Sequence, residues 1–263
     1  MNHSNIQAKT VEIGVGTVID ESAIIRGLDG DADFVRIGDH AYIGANVQII
    51  CDHFELGDYC KIHHDTNVHG YKPCRIGHNA WIGQFCIIDS VGGVTIGNNC
   101  GIGSASQLWS HIKFGDTLEG NRFNSTQELA IGNDVWFVGH CIVSPIVAAD
   151  KSMAMVGSVV TRNMEHNHVY AGVPSKDITD KVGPQFTETS VEQKLDLMNG
   201  YLTDFAGHTD EIMIVEDVSS FRSDGVSYFA VATREYNKTN SNLEVGFMKY
   251  LLPERAKFVP YHL

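Results

Sequence analysis

The sequence predicts a mainly β protein: a solenoid of triangular cross-section followed by a small α/β appendage. Three observations predict it. Aliphatic residues recur every six positions, extra residues enter that pattern once every three units, and the pattern stops near residue 180. At 263 residues, 43% hydrophobic and 19% charged, the chain has the length and composition to bury such a core.

The repeat is read first. Aliphatic positions fall at 13, 19 and 25, then at 37, 43 and 49, 56, 62 and 68, 76, 82 and 88, and 96, 102 and 108. They resume at 131, 137 and 143, and a weaker last set is expected at 149 and 155, opened by Ala149 and Met155. Glycine often follows the aliphatic residue, as in "IGDHAY", "IGHNAW", "IGNNCG" and "IGNDVW". A period of six suits neither a helix nor a long half-buried strand. It suits a short strand and a turn, repeated as successive sides of a coil that stacks on the next at about 4.8 Å.

The spacing between units gives the cross-section. The steps from 49 to 56, 68 to 76 and 88 to 96 are longer than six, and the step from 108 to 131 is far longer. Extra residues thus enter once every three units, so three units close one coil and every insertion leaves the same corner of a prism. The third side carries the polar excursions "ICDHFE", "VHGYKPCR", "IDSVGGVT" and "LWSHIKF". Stacking places Asp89 and Ser90 one coil, on the order of 5 Å, from Ser110 and His111.

The fifth position of each unit is small or β-branched: Thr17, Ala23, Ala41, Val47, Cys60, Thr66, Ala80, Cys86, Cys100, Ser106, Val135, Cys141, Val147 and Val159. Such residues fit a tight corner. Four of the six cysteines fall there, so they read as buried small hydrophobes, not as metal ligands or nucleophiles.

These units resemble the [LIV]-G-x-x-[small]-x hexapeptide repeat of the left-handed parallel β-helix acyltransferases. "VYAGVPSKDI", Val169 to Ile178, is similar to the terminal motif of that family, and "SPIV" at Ser144–Val147 is similar to its Pro-containing turn. The resemblance covers roughly residues 11 to 180. It implies a left-handed coil, a homotrimer, and active sites between neighbouring prisms. Residues 1–180 are therefore expected to form the β-helix domain, with a protruding loop at about 109–130, and residues 181–263 a small α/β domain.

Beyond "DKVGPQFTETS", Val191, Leu195, Met198, Leu202 and Phe205 share one helical face, with Thr189 or Ser190 as cap. "EIMIVED" and "VSYFAVATREY" read as strands and "SNLEVGFMKYLL" as a second helix. The family resemblance does not reach this part.

His111, the fourth residue of the unit opened by Leu108, stands where sugar and antibiotic acetyltransferases of the family carry a general base at the start of a long loop. Imidazole suits that task, since its proton exchanges near working pH. "WSH" is followed by "IK" here, unlike common relatives, so the partner that orients the ring is not evident. Asp89, on the same side in the adjacent coil, is the candidate to orient His111 or to bind the sugar. The resemblance puts the pantetheine arm of a coenzyme A thioester against Gly139, Gly157 and Ser158, with Trp136 beside it. Arg162 and Lys176 match basic positions that meet the nucleotide phosphates, local cations a polyanion requires in an acidic chain.

A rival sits in "CKIHHDTNVHG", where His64 and His69 have the spacing of metal ligands in γ-class carbonic anhydrases. The upstream histidine of that class has no counterpart in "DESAIIRGLDGDADF", and no metal is expected.

The net charge of −13 argues against nucleic acid or an anionic membrane as partner. No signal-like segment or membrane span is visible, and six cysteines without a CxxC pair suit a reducing, cytoplasmic setting. The reading is an acetyl-CoA-dependent acyltransferase that O-acetylates a sugar in bacterial surface-polysaccharide biosynthesis. N-acetylation of a nucleotide-linked amino sugar, or a non-catalytic β-helix scaffold, stands as the alternative.

Overall fold

The computed structural model describes residues 5–261, which divide into two compact units with the boundary between Phe186 and Thr187. The first unit is the parallel β-helix that the repeat predicts. Its first side stacks the strands Ile6–Ile13, Ala32–Ile37, His53–Leu56, Cys74–Ile76, Val94–Ile96, Leu129–Ile131 and Val147–Ala148. The second stacks Val18–Ile19, Tyr42–Ile43, Lys61–Ile62, Trp81–Ile82, Gly101–Ile102, Trp136–Phe137 and Met153–Ala154. The third runs from Ile24–Arg26 through Gln48–Cys51, Asn67–Gly70, Ile87–Asp89, Gln107–Leu108 and Ile142–Val143 to Val159–Val160. The opening strand bends across an edge, since Ile6 pairs with Ile25 on the third side and Ile13 with Ile37 on the first.

Inward aliphatics align from coil to coil: Ile43, Ile62, Ile82, Ile102 and Phe137 form one buried column. Two of the three edges turn tightly. The residue before each small corner residue is left-handed there, as at Asn46, Asp65, Asn79, Asn99 and His140. Asn and Asp tolerate that conformation best, and the corner side chain must be small because it points into the bend. Along the edge between the first and second sides, side chains join the coils. Asp39, Asp58, His78, Asn98, Asn133 and Asp150 each accept a backbone N–H from the coil before. The glycine after the aliphatic residue has a steric cause: a Cβ on Gly57 would lie 2.6 Å from the backbone of Gly77 one coil on. The third edge lacks these turns and carries every insertion.

The last coil departs from the expected register. Ala148 and Ala154, not Ala149 and Met155, are the inward residues, paired with Ile131 and Phe137. "SPIV" is one residue short of a full turn, so Ile146 takes the corner and Val147 is 52% exposed. The shift carries forward, and Ser152 and Ser158 occupy the buried corners, with Val159 only half-buried. The first unit also extends past 180. Gln185 donates to the carbonyls of Asp134 and Lys151, and Asn167 exchanges two hydrogen bonds with the Phe186 backbone, which fastens this segment to the coil.

In the second unit Ser190 caps the helix Val191–Ala206 in a capping box with Gln193. Strands Ile212–Val215, Ser227–Ala230, Glu235–Tyr236 and Val259–Pro260 form one sheet, and Asn242–Leu251 is the second helix. "VSYFAVATREY" thus contains a hairpin, not one strand. Phe229, Tyr236, Phe247 and Phe258 make the core.

None of the six cysteines forms a disulfide, and all are buried. Burial pushes the Cys60 thiol up to about 12 and that of Cys86 to about 11. Native protein is therefore expected to withhold all six thiols from Ellman's reagent at pH 8 and to release them in denaturant. A thiol that titrates rapidly in the native state would place that cysteine outside the core.

Candidate active site

The large insertion is an antiparallel hairpin, His111–Lys113 against Asn124–Thr126. Its two feet close over the turn that follows Asp89. The Gln127 N–H donates to the Ser110 carbonyl, and the Gly92 N–H donates to Ser110 Oγ. Glycine is required at 92, since a Cβ would lie 2.4 Å from both the Ser110 and the Gln127 carbonyl oxygens. His111 begins the first strand of the hairpin, at its base, and Ile112, Phe114, Leu118 and Phe123 are exposed beyond it.

Asp89 ends its third-side strand and is fully buried. Its Oδ1 accepts from the Ser110 N–H at 3.1 Å, from Ser110 Oγ at 2.7 Å and from His111 Nδ1 at 2.9 Å. Burial alone would push this carboxyl up, but the facing His69 and the hydrogen bonds from His111 and Ser110 outweigh it and hold the group well below the usual carboxylate range. An ionised carboxylate only accepts, so the Nδ1–H of His111 is the donor. That fixes the tautomer and leaves Nε2 with its lone pair, on a side chain that is 23% exposed. An oriented imidazole of this kind can remove a proton from a bound hydroxyl or amine.

Asp89 therefore answers the question of what orients His111, and its burial leaves it to orient the ring and not to face a sugar in this chain. Ser110, which stacking places beside this column but to which the sequence assigns no role, holds the same carboxylate twice. Its signal was its register, one coil above Ser90.

The other expected residues lie elsewhere. Trp136 is on the second side, 46% exposed, with its ring over Gly101. Gly139 and Gly157 share the edge between the second and third sides in consecutive coils, joined by a hydrogen bond from the Gly157 N–H to the Gly139 carbonyl. The Ser158 side chain is buried and its Oγ donates to the Met155 carbonyl at 2.6 Å, which leaves only its backbone to meet a ligand. Arg162 is exposed on the edge between the third and first sides, and Lys176 is exposed on the short hairpin that ends the second side. One chain thus brings His111 and Asp89 together, while Trp136, Gly139 and Gly157 belong to other faces of the prism. His64 lies in the turn before the third-side strand Asn67–Gly70, and His69 lies within that strand. His64 pairs with Asp65 at 2.7 Å, and His69 faces Asp89.

Comparison with known proteins adds to this geometry. No protein-family model matches the chain. The chain resembles the hexapeptide-repeat sugar O-acetyltransferases. In particular it is 38% identical over 53 residues to galactoside O-acetyltransferase of Escherichia coli (strain K12), a match that spans 20% of this chain and 26% of the relative. It therefore aligns with only about a quarter of that curated relative. Among solved structures it is similar to the polysialic acid O-acetyltransferase OatWY, at 18% identity over 69% of this chain and 92% of the other, TM-score 0.35. It is also similar to the polysialic-acid-specific acetyltransferase NeuO, at 18% identity over 69% and 85%, TM-score 0.42.

Asp89→Asn tests the electrostatics. A carboxyl whose folded pKa is depressed contributes stability that is present above its unfolded value of about 3.9 and is lost as pH falls toward the folded value. Wild type is expected to exceed Asp89→Asn in urea midpoint at pH 7, with the gap narrowing below about pH 4. A gap that stays constant from pH 7 to pH 2.5 would show that the carboxylate is not held as described.

Proposed function

We propose that this protein is an acyltransferase that uses acetyl-CoA to O-acetylate a sugar, with His111 as general base. The observation that carries the reading is the hydrogen bond from His111 Nδ1 to the buried Asp89 at the foot of the hairpin. The local match to galactoside O-acetyltransferase supports the reaction class. Nε2 of His111 removes the hydroxyl proton of the acceptor as that oxygen attacks the thioester carbon. The same nitrogen then returns the proton to the departing thiolate, so no net charge is left on the protein.

The groups placed at the donor form the other half of the proposal. Trp136, Gly139 and Gly157 line the path of the pantetheine arm, and the exposed Arg162 and Lys176 meet its phosphates. Because these residues and His111 occupy different faces of one prism, the reading requires a second copy to complete the site, and we place three copies around an axis. The apolar side chains exposed on the hairpin, Phe114, Leu118 and Phe123, support such an assembly. No helix among the described residues is long and apolar enough to cross a membrane. A cytoplasmic setting is supported by six cysteines outside any disulfide, and surface-polysaccharide synthesis is the process proposed for the acceptor.

Thiol release from acetyl-CoA, measured over a panel of neutral sugars, sialic acid oligomers and nucleotide-linked amino sugars, tests the class. Turnover with a hydroxyl acceptor is expected, and His111→Ala is expected to lower kcat by about 10²–10⁴-fold. Light scattering should give the mass of three chains. No turnover together with no calorimetric binding of acetyl-CoA would overturn the enzyme reading in favour of a scaffold. Turnover with amino sugars alone would move it to N-acetylation.

A further inference from the structure

The carboxylate that holds His111 has a second oxygen, and its surroundings assign a task to another histidine. Asp89 Oδ1 takes three donors, whereas Oδ2 is buried and has no hydrogen-bond partner. Nε2 of His69 faces it at 3.4 Å, beyond a normal hydrogen bond but within ion-pair distance. This neighbour is built into the repeat, because His69 and Asp89 are register partners on adjacent third-side strands. The ring is also aimed. His69 Nδ1 lies 2.9 Å from Asn67 Oδ1 on the same strand, which leaves Nε2 directed at the carboxylate. Both ring nitrogens face acceptors, Nδ1 the amide oxygen of Asn67 and Nε2 the negative oxygen of Asp89, so holding both contacts takes a proton on each nitrogen, the imidazolium form. Asp89 then lies between two histidine rings, one on each oxygen. His69 is 37% exposed and packs into no core, so nothing in the packing of the coil demands a histidine there.

We propose that His69 is a positioning residue: its Nε2–H holds the second oxygen of Asp89, fixing the carboxylate in the orientation that receives the His111 Nδ1–H and keeps His111 Nε2 free. The inference rests on His111 being the base for its kinetic consequence, but its structural part stands independently of that reading. Without His69 only Oδ1 remains tied, and Ser110 supplies two of its three donors, so the carboxylate can tilt toward Ser110 and loosen its bond to His111. His111 then samples both tautomers, and the fraction with a free Nε2 falls.

Three variants of the full-length protein test this: His69→Ala, His69→Gln, which restores an N–H near the Nε2 position, and His111→Ala. Nitrogen-15 chemical shifts of the His111 ring report its tautomer without any substrate. His69→Ala is expected to convert a single Nδ1–H tautomer into a mixture and to lower kcat by about 10–100-fold with little change in KM. His69→Gln should restore the single tautomer and most of kcat. An unchanged His111 tautomer in His69→Ala overturns the proposal. So does a rise in KM at constant kcat, which would make His69 a binding residue. If His111→Ala keeps full activity, the base assignment fails, and the tautomer spectra still decide the role of His69. Circular dichroism and the urea midpoint establish that each variant is folded, and His69→Asn replaces His69→Ala if the alanine variant is not.

Discussion

The backbone hydrogen bonds between consecutive coils set everything else in the first unit. Each N–H of a side strand reaches a carbonyl one coil away, so residues one coil apart in sequence become neighbours about 4.8 Å apart in space. That spacing leaves room for nothing larger than hydrogen where backbones approach most closely, which is why glycine follows so many inward aliphatics. It also fixes the corner residues as small. Chemistry inherits the same constraint: His69, Asp89 and the foot of the hairpin stand in one column because the coils must stack, whatever the loops do.

Placing a carboxylate in such a column has an electrostatic consequence. Asp89 is removed from water, where its charge would be costly without donors. The Ser110 backbone, the Ser110 hydroxyl and His111 supply those donors on one oxygen. A group so held does not readily accept a proton, and it favours one tautomer of the ring it touches. The hairpin contributes through its feet, since the Ser110–Gln127 closure sets where His111 leaves the coil.

Much of this was legible in the sequence. The period of six and its lengthening once per three units gave the prism, the position of the insertions and the pairing of Asp89 with His111. The last coil was misread by one residue because "SPIV" shortens a unit, and periodicity cannot distinguish a short unit from a weak one when both begin with alanine. The same shift makes Ser158 a buried corner residue. His69 was visible in the sequence, but it was weighed against His64, its neighbour along the chain. Its real neighbour is Asp89, one coil further on. The hairpin inside "VSYFAVATREY" escaped notice because its turn, Val231 to Arg234, carries no glycine or proline.

The three edges of the prism divide the labour of change. Two of them depend on left-handed corners and, along one, on a ladder of side chains, and an added residue there would throw every later coil out of step. The third edge asks only that the chain come back. It returns after a short turn below Asp89 and after a whole hairpin above it, and Ile131 still lands on Ile96. Length, charge and shape can therefore drift freely at the one edge where His111 stands, while the stack that positions it stays fixed. A scaffold so arranged lets natural variation or an engineer rebuild the working surface one loop at a time without renegotiating the core.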